Sequence, residues 1–152
     1  MIYAPMREKI KPDVCCSADG NGSFSVTAER EFVPDELIIM ISGIMRRTPT
    51  RTSIQLGVAE HIEDPIIGSM NHSCNSGAYI HVMNHCLRAA HIIRRGEEIT
   101  INYNASETSL ACPFRCRCGT ADCVGLVRGY RFLSPEQKRT LKHLAPHLCS
   151  EK

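Results

Sequence analysis

The chain has 152 residues, of which 43% are hydrophobic and 22% charged, and these fractions are close to the averages of globular domains. Its length suits one domain with a single core, and its longest apolar runs, such as 37–41, are too short to cross a membrane. A formal net charge of +2 is too small to indicate a nucleic-acid-binding protein, so we expect no direct contact with nucleic acid and none with a membrane.

The N-terminal sequence and the cysteine content bear on the cellular compartment. MIYAPMREKIKPD at 1–13 lacks the apolar stretch of a signal peptide, so we expect an intracellular, reducing setting. The chain carries nine cysteines. In a reducing compartment, clustered cysteines bind metal more often than they form disulfides. The cysteine-rich C-terminal third therefore becomes a candidate metal site.

Short β-like runs dominate the chain up to about residue 103. In chain order they are SFSVTA (23–28), ELIIMIS (36–42), TSIQLGV (52–58), AYIHVM (78–83), HCLRAAHI (85–92) and EEITINY (97–103). Turn-forming stretches separate them, including DGNG (19–22), VPDE (33–36), MNH (83–85) and RRGEE (94–98). Because few windows show helical periodicity, the sequence predicts a β-rich domain.

The segment 112–130 is rich in Cys, Gly and Arg, which is typical of an irregular loop held by a metal. Cys116, Cys118 and Cys123 form a C-x-C-x4-C set, a spacing that favours zinc over buried free thiols or a disulfide. A structural zinc site needs four ligands, and an all-thiolate shell leaves no open position for catalysis. Cys112 is a nearby candidate for the fourth ligand, and Cys74 is a distant one.

The last predicted element is a helix over 134–148. Ser134 is a plausible N-cap with a proline after it, and Gln137 is placed to complete a capping box. We expect Leu141 and Leu144 to face the core. The simplest role for this segment is that of a helix docked on the domain.

Three separated segments resemble the signature motifs of the SET-domain methyltransferases. GNGSFSVTAEREFVPDELI (20–38) resembles the family's glycine-rich opening, and SMNHSCNSG (69–77) resembles its N-H-S-C-x-P-N signature. RRGEEITINY (94–103) resembles its G-E-E-L-T-x-x-Y motif, and FRCRCGTADCVG (114–125) resembles its cysteine-containing post-SET segment. Each motif is weak alone, whereas their shared order and spacing are specific to this family.

The resemblance implies a β-rich SET fold, or β-clip, built of small twisted sheets. The last strand would thread under the loop formed by the N-H-S-C segment, which makes a C-terminal pseudoknot, and a zinc-stapled loop and a short helix would follow. The implied division of the chain is an N-terminal lead-in (1–14), a SET domain (15–104), a post-SET zinc segment (105–130) and a C-terminal helix and tail (131–152).

The resemblance also implies S-adenosylmethionine as the methyl donor, and most often a protein lysine, for example in a histone, as the acceptor. Family members with this tail use the cysteine of N-H-S-C as the fourth zinc ligand. Carried over to this chain, that selects Cys74 to join the three clustered cysteines and makes Cys112 a bystander. The implied structural zinc ligands are Cys74, Cys116, Cys118 and Cys123.

The site residues follow from the same resemblance. Tyr103 matches the tyrosine that ends the family's G-E-E-L-T-x-x-Y motif and is the predicted catalytic residue, which would orient donor and acceptor. The predicted cofactor-binding residues are Gly20, Asn21, Gly22, Ser23, Phe24, Asn71, His72, Tyr103, Phe114 and Leu126. The predicted substrate channel is formed by Ile101, Tyr103 and Leu126. Without the motifs, most of these residues would need no functional explanation: Tyr103 could simply end a strand, and the polar residues could belong to ordinary surface loops.

Two departures from the family pattern bear on function. Ser76 and Gly77 stand where the signature has Pro-Asn, and Ile101 stands where the family has an aromatic residue that tunes the number of methyl groups. The leading hypothesis is a methyltransferase acting on a protein or peptide lysine. The alternatives are a small-molecule methyltransferase and a catalytically silent SET-fold binding module. We expect a nuclear protein in a eukaryotic host, and a cytoplasmic protein or secreted effector in a bacterial one. For the oligomeric state, the sequence is compatible with a monomer and with a homodimer.

Overall fold

The structure, a computed structural model, describes residues 13–150, so most of the predicted lead-in at 1–14 lies outside the described residues. The strands are β1 (Val14–Ala18), β2 (Phe24–Ala28), β3 (Leu37–Met40), β4 (Ile44–Arg46), β5 (Ile54–Gly57), β6 (Glu60–Glu63), β7 (Ala78–His81), β8 (Cys86–Ala89), β9 (Phe114–Arg115) and β10 (Leu126–Val127). One α-helix, α1 (Pro135–Thr140), lies in this range. Short 3₁₀ helices cover Ile67–Ser69, Val82–Asn84, Tyr103–Ala105, Tyr130–Phe132 and Pro146–Ser150.

The strands of residues 13–150 form four small antiparallel sheets, which confirms the predicted β-rich fold. Their strand orders are β1-β2, β3-β8-β7, β4-β6-β5 and β9-β10. Large core side chains, among them Phe32, Leu87, Ile93 and Ile99, are fully buried in one hydrophobic cluster. Burial of each such side chain contributes about 1.5–3 kcal/mol, so the core stabilises the fold without any large sheet. No helix of the described residues is long and apolar enough to cross a membrane.

The turn between β1 and β2 shows how a short polar motif builds local structure. The Asp19 carboxylate accepts hydrogen bonds from the backbone N–H groups of Asn21 (2.8 Å) and Ser23 (3.1 Å). Gly20 and Gly22 have φ values of 80° and 86°, a left-handed conformation that side chains with a Cβ rarely adopt. This turn brings the backbone at residues 22–24 to the edge of a large cavity.

The segment 100–102 passes between two arms of the loop 71–78, which is the predicted pseudoknot. On one side, the N–H of Ile101 donates to the carbonyl of Asn71, and the N–H of Ser73 donates to the carbonyl of Ile101 (both 3.1 Å). On the other side, the N–H of Ala78 donates to the carbonyl of Thr100 (3.0 Å). The threaded segment thus satisfies its buried backbone groups on both sides.

Two element predictions need correction. The predicted strand at 97–103 is not continuous, because the segment forms only isolated bridges to three other segments and then enters a 3₁₀ helix at Tyr103. The predicted helix over 134–148 ends at Thr140, because Leu141 is extended and His143 has a φ of 52°. The capping box of Ser134 and Gln137 is confirmed.

The tail after α1 turns back onto the domain, which explains the early end of the helix. The N–H of Ala145 donates to the carbonyl of Ala105 (2.8 Å), and Ala145, His147 and Leu148 are buried. Leu141 and Leu144, expected to face the core, are only half-buried. Burial of the later residues therefore overrides the local helical propensity of the sequence.

Candidate functional site

A cavity of about 720 Å³ lies where the glycine turn, the threaded segment and the post-β8 chain meet. Its size is within the range of small-molecule and cofactor sites. Its wall consists of residues 22–24, 50–54, 67–72, 101, 103, 107 and 110–114. Apolar side chains alternate with a few polar ones along this wall, as expected for a site that binds an organic ligand in one orientation.

Three rings meet edge to edge at the cavity wall. The ring of His72 lies 5.2 Å from that of Tyr103 and 5.7 Å from that of Phe114, and the rings of Tyr103 and Phe114 are 5.8 Å apart. Perpendicular contacts of this kind are the favourable geometry for aromatic pairs. The loop 69–77, the 3₁₀ helix at Tyr103–Ala105 and β9 each contribute one ring, so the signature loop and the cysteine-rich segment assemble this wall together.

His72 is held as a neutral ring with a defined tautomer. The backbone N–H of Tyr103 donates to Nδ1 of His72 (3.1 Å), so the proton of the neutral ring sits on Nε2, which faces Sγ of Cys74 (3.3 Å). Burial lowers the pKa of His72 to about 4. The ring therefore links the cavity wall to the cysteine cluster without carrying a charge near neutral pH.

Tyr103 presents its hydroxyl group to the backbone at the cavity wall. The hydroxyl donates a hydrogen bond to the carbonyl of Met70 (2.5 Å). Burial, with a smaller contribution from the charges of Glu107 and Glu98, raises the pKa of Tyr103 to about 12. The phenol therefore stays protonated at neutral pH, where it can donate a hydrogen bond but cannot act as a base.

Glu107 is a cavity residue that the sequence motifs did not indicate. Its side chain is buried (7% exposed), and Oε1 accepts a hydrogen bond from the backbone N–H of Gln55 (2.8 Å). Gln55 in turn accepts from the N–H of Thr108 (2.8 Å), so β5 and the chain at 107–108 hold each other in place. Burial raises the pKa of Glu107 to about 7.

We expect Glu107→Gln to stabilise the protein at high pH but not at low pH. The pKa of Glu107 is raised on folding, so the carboxylate destabilises the folded state above the unfolded-state pKa, and this penalty grows up to about pH 7. The glutamine removes about 3 kcal/mol of this penalty at pH 8 and almost nothing at pH 4, while its carbonyl can still accept the bond from Gln55. Urea unfolding of both proteins at the two pH values measures the difference.

The exposed Glu29 provides a matched control for that experiment, because Glu29→Gln removes a carboxylate of the surface. Its effect on the free energy of unfolding should be small and the same at pH 4 and pH 8. If the free energies of unfolding of wild type and Glu107→Gln differ by the same amount at pH 4 and pH 8, Glu107 is not a buried ionisable group.

Asn71 links two motifs of the resemblance. Its side-chain amide donates to the carbonyl of Phe24 (2.9 Å) and to the carboxylate of Glu98 (2.7 Å). The first motif, the signature loop and the third motif are therefore fixed to one another at the cavity. This arrangement leaves the side-chain carbonyl of Asn71 available to a ligand.

Four thiols lie together beside the cavity. The sulfur atoms of Cys74, Cys116, Cys118 and Cys123 all lie within 4.8 Å of one another, and those of Cys74 and Cys116 are 3.9 Å apart. Tetrahedral zinc with Zn–S bonds of about 2.3 Å requires sulfur–sulfur distances of about 3.8 Å. The cluster therefore fits a zinc ion with four soft ligands.

The backbone of the post-SET loop is shaped around these thiols. The N–H of Cys118 donates to Sγ of Cys116 (3.4 Å), and the hydroxyl of Thr120 lies 3.2 Å from Sγ of Cys118. This hydroxyl is the main cause of the lowered pKa of Cys118, about 6. Gly119 has a φ of 72°, which allows the tight turn. Cys112 is exposed, lines the cavity and lies outside the four-thiol cluster.

The structure brings most of the predicted site residues to one cavity. The predicted residues on its wall are Gly22, Ser23, Phe24, Asn71, His72, Ile101, Tyr103 and Phe114. Gly20, Asn21 and Leu126 do not line it; Gly20 and Asn21 form the far side of the turn, and Leu126 is half-exposed on β10. Besides Glu107, the motifs missed Met70 and the loop 50–53, whose threonine hydroxyls bond to Glu63.

Comparison with known proteins gives relatives of one kind. The chain is 38% identical over 131 residues to an H3 lysine-36 specific histone-lysine N-methyltransferase of Gibberella zeae, which covers 70% of the chain. It is 42% identical over 65 residues to a protein of the same description from Chaetomium globosum, covering 39% of the chain. These relatives, together with the fold, support a SET-domain methyltransferase.

Two further comparisons bear on this SET domain. It is 31% identical over 85 residues to the methyltransferase flvH of Aspergillus flavus, covering 53% of the chain and 47% of that protein. Its fold resembles that of a candidate histone methyltransferase of Plasmodium falciparum, with a TM-score of 0.50 and 18% identity over 62% of the chain and 95% of that structure. No family model matches the sequence.

The relatives differ greatly in length from this SET domain. It spans 14% of the Gibberella protein and 7% of the Chaetomium protein, but about half of flvH. The activity and substrates of the longer relatives belong to much larger proteins.

Proposed function

We propose that this SET-domain protein transfers a methyl group from S-adenosylmethionine to the side-chain amine of a lysine in a protein or peptide. The observation that carries this proposal is the cavity in which the pseudoknot places Tyr103, His72 and Phe114 together. The names of the histone-lysine relatives support the lysine acceptor and favour a nuclear setting. The proposed division of the chain is a SET domain (15–104), a post-SET segment (105–130) and a tail (131–152).

The residues of the cavity fit S-adenosylmethionine. The backbone at Gly22 is open, since no atom lies within 4 Å of where a Cβ would stand, and a ligand can therefore approach it closely. Phe24 and Phe114 offer apolar surface for a base, while Asn71 and Arg51 offer polar and charged groups. When bound, the cofactor supplies an electrophilic methyl group on a positively charged sulfur.

The chain's own residues would supply alignment and a neutral amine. A lysine in water has a pKa of about 10.4, so its deprotonation at neutral pH costs about 4–5 kcal/mol. The apolar wall at Ile101, Ile67 and Met70 would lower this cost because it disfavours the ammonium. The Tyr103 hydroxyl, which stays protonated, would orient the reacting groups, and such alignment supplies several kcal/mol more.

The four-thiol cluster would hold a structural zinc ion. Its four thiolates complete a tetrahedral shell, so zinc would fix the post-SET loop and leave no open position for a reacting group. Phe114 precedes Cys116 by two residues, and zinc would thereby position one wall of the cofactor cavity.

Two measurements on the recombinant protein test the proposed function. Isothermal titration calorimetry should detect S-adenosylmethionine binding, and Phe24→Ala should weaken it about tenfold because an aromatic contact in the cavity is lost. Phe132→Ala is the matched control, since Phe132 is similarly exposed (45% against 53% for Phe24) but lies outside the cavity. This control should change the affinity less than twofold.

Labelled-methyl transfer then identifies the acceptor. We expect label on core histones or on a histone H3 peptide spanning lysine 36, and none on the same peptide with arginine at that lysine. Label only in the low-molecular-weight fraction of an extract would replace the lysine acceptor by a small-molecule amine. Absence of cofactor binding would leave a SET-fold binding module and refute both enzymatic hypotheses.

A further inference from the structure

The loop 50–53 brings one arginine to the wall of the cofactor cavity, and the signature motifs give this residue no role. The ionisable side chains on the described wall are Arg51, His72, Tyr103, Glu107 and Cys112. His72 and Tyr103 are both neutral near pH 7, because burial disfavours the charged form of each. An arginine side chain stays protonated at any pH of interest. Arg51 is therefore the one permanent cation on the described cavity wall.

The loop that carries Arg51 is held on two sides. The hydroxyls of Thr50 and Thr52, the two neighbours of Arg51, both donate to the carboxylate of Glu63, that of Thr52 at 2.8 Å. On the other side, a Cβ at Gly68 would lie 2.7 Å from the carbonyl oxygen of Thr52, so the glycine allows the loop to pack directly on the segment 67–70. These contacts fix the backbone of Arg51 at the cavity.

The guanidinium of Arg51 is available to a ligand. Arg51 is exposed, and it forms no ion pair with any carboxylate of residues 13–150. Its charge also acts at the cavity wall: burial raises the pKa of Tyr103, and the positive charge of Arg51 offsets a part of this rise. A ligand bound against Tyr103 would therefore lie within reach of the charge of Arg51.

A cation at this place is unfavourable for most of the charges that the proposed reaction brings to the cavity. At neutral pH, S-adenosylmethionine carries a positive sulfonium, a positive ammonium and one negative carboxylate, and the acceptor amine in water is an ammonium as well. Arg51 repels all the positive groups and attracts only the carboxylate. The planar fork of a guanidinium also matches the two oxygens of a carboxylate in a bidentate contact.

We propose that Arg51 binds an amino-acid carboxylate in the cavity and so positions the ligand that carries it. This inference rests on the proposed function. With a protein lysine as the acceptor, the carboxylate is that of the methionine part of the cofactor, since the α-carboxyl group of such a lysine is part of a peptide bond. A free amino acid as the acceptor would bring the same group to the cavity. Arg51 is thus a positioning residue and takes no part in making or breaking bonds.

Calorimetric titration with S-adenosylmethionine and with its decarboxylated form tests this contact. The two ligands differ only in the carboxylate, so wild type should bind the decarboxylated form about 10- to 100-fold more weakly, which is the usual effect of losing a charged hydrogen bond. Arg51→Gln should lose a similar factor for S-adenosylmethionine, but it should bind the decarboxylated form at least as well as wild type because a repelling cation is gone. Arg51→Lys keeps the charge without the fork and should lie between the two.

Arg47→Gln is the matched control for these titrations. Arg47 is an exposed arginine four residues earlier in the chain, and it does not line the described cavity. The control should bind both ligands within twofold of wild type. If Arg51→Gln instead weakens the binding of both ligands by the same factor, Arg51 has a structural role and the proposal is overturned.

A second titration identifies the source of the carboxylate if Arg51→Gln binds S-adenosylmethionine as wild type does. The protein is saturated with S-adenosylhomocysteine and titrated with L-lysine and with L-lysinamide, in which the carboxylate is replaced by a neutral amide. A carboxylate supplied by the acceptor predicts that wild type prefers L-lysine at least tenfold and that Arg51→Gln has no preference. This result would assign a free amino acid as the acceptor.

The failure of this proposal differs from the failure of the proposed function. Wild type that binds no S-adenosylmethionine refutes the proposed function, and the role of Arg51 with it. Wild type and Arg51→Gln that bind S-adenosylmethionine equally well, and that show the same preference between L-lysine and L-lysinamide, refute the role of Arg51 alone.

Discussion

Cys118→Ser should abolish metal binding and unfold the post-SET loop while the core remains folded. None of the residues 111–126 is buried, so this segment has no hydrophobic core to hold it without a metal. The serine leaves three thiolates, and structural zinc sites contribute on the order of 10 kcal/mol to the folding of the segments they hold. We expect about one zinc ion per chain in wild type and none after dialysis of the variant.

The consequence extends to the cofactor cavity. Phe114 lies in β9, whose only strand partner among the described residues is β10, and each of these strands has two residues. Loss of the metal should therefore release Phe114 from the ring cluster with His72 and Tyr103. We expect S-adenosylmethionine affinity to fall by more than tenfold, together with faster hydrogen exchange and proteolysis confined to about residues 111–127.

The control for this experiment is Cys149→Ser, which removes an exposed thiol outside the four-thiol cluster. It should retain the metal, the protection of the post-SET loop and the cofactor affinity. Wild-type protein that carries no zinc and still protects residues 111–127 from proteolysis would show that the thiols do not act as a metal site.

The sequence could predict those positions at which the local conformation or the ligand itself requires a particular type of residue. The glycine turn, the signature loop and the threaded segment each contain residues whose type is dictated by local needs, such as a left-handed φ at Gly22. The clustered cysteines were equally visible from their spacing. The spacing alone could not choose between Cys74 and Cys112 as fourth partner, because Cys74 reaches the cluster only through the pseudoknot.

The secondary structure of the threaded segment could not be predicted for a related reason. The alternation in 97–103 is typical of a strand, and the segment is extended and buried as a strand would be. Its backbone, however, bonds to Val26, Asn71, Ser73 and Ala78 in turn, which belong to different parts of the chain. The alternation of apolar and polar residues indicates which side chains are buried, but it does not indicate which segments pair with the backbone.

The departure at Ser76 and Gly77 illustrates how context compensates. The Ser76 hydroxyl donates to the carbonyl of Ala78 (2.9 Å), and the N–H of Gly77 donates to the Thr100 hydroxyl (3.3 Å), so the loop keeps its bonds to the threaded segment. A Cβ at Gly77 would make ordinary contacts of 3.5 Å with His91 and Ile93. The glycine is therefore not required by the backbone, and its presence does not disrupt the pseudoknot.

Glu107 could not be predicted as a site residue from the sequence, because its surroundings come from segments that are far apart in the chain. Its hydrogen-bond donor, Gln55, lies 52 residues earlier in the chain, and β5 is held against the chain at 107–108 by the hydrogen bonds of Gln55. A glutamate followed by threonine and serine is typical of a polar loop. Only the three-dimensional arrangement distinguishes it from the exposed Glu97 or Glu29.

Tyr103→Phe should lower the rate of methyl transfer 100- to 1,000-fold and leave cofactor affinity within about threefold of wild type. The substitution removes one hydroxyl group at the cavity wall and keeps the ring that contacts His72 and Phe114. Loss of a single well-placed hydrogen-bond donor in an active site typically reduces kcat by this factor. Single-turnover transfer and calorimetric titration measure the two quantities separately.

The pH dependence of this variant separates orientation from proton transfer. The pKa of Tyr103, raised by burial to about 12, keeps the hydroxyl protonated from pH 6 to pH 10, so the loss in Tyr103→Phe should be the same factor throughout that range. Tyr130→Phe is the matched control, because Tyr130 lies outside the cavity and packs under Lys138. A Tyr103→Phe defect that grows or shrinks steadily with pH would show that the phenol takes part in proton transfer and does not only orient the reacting groups.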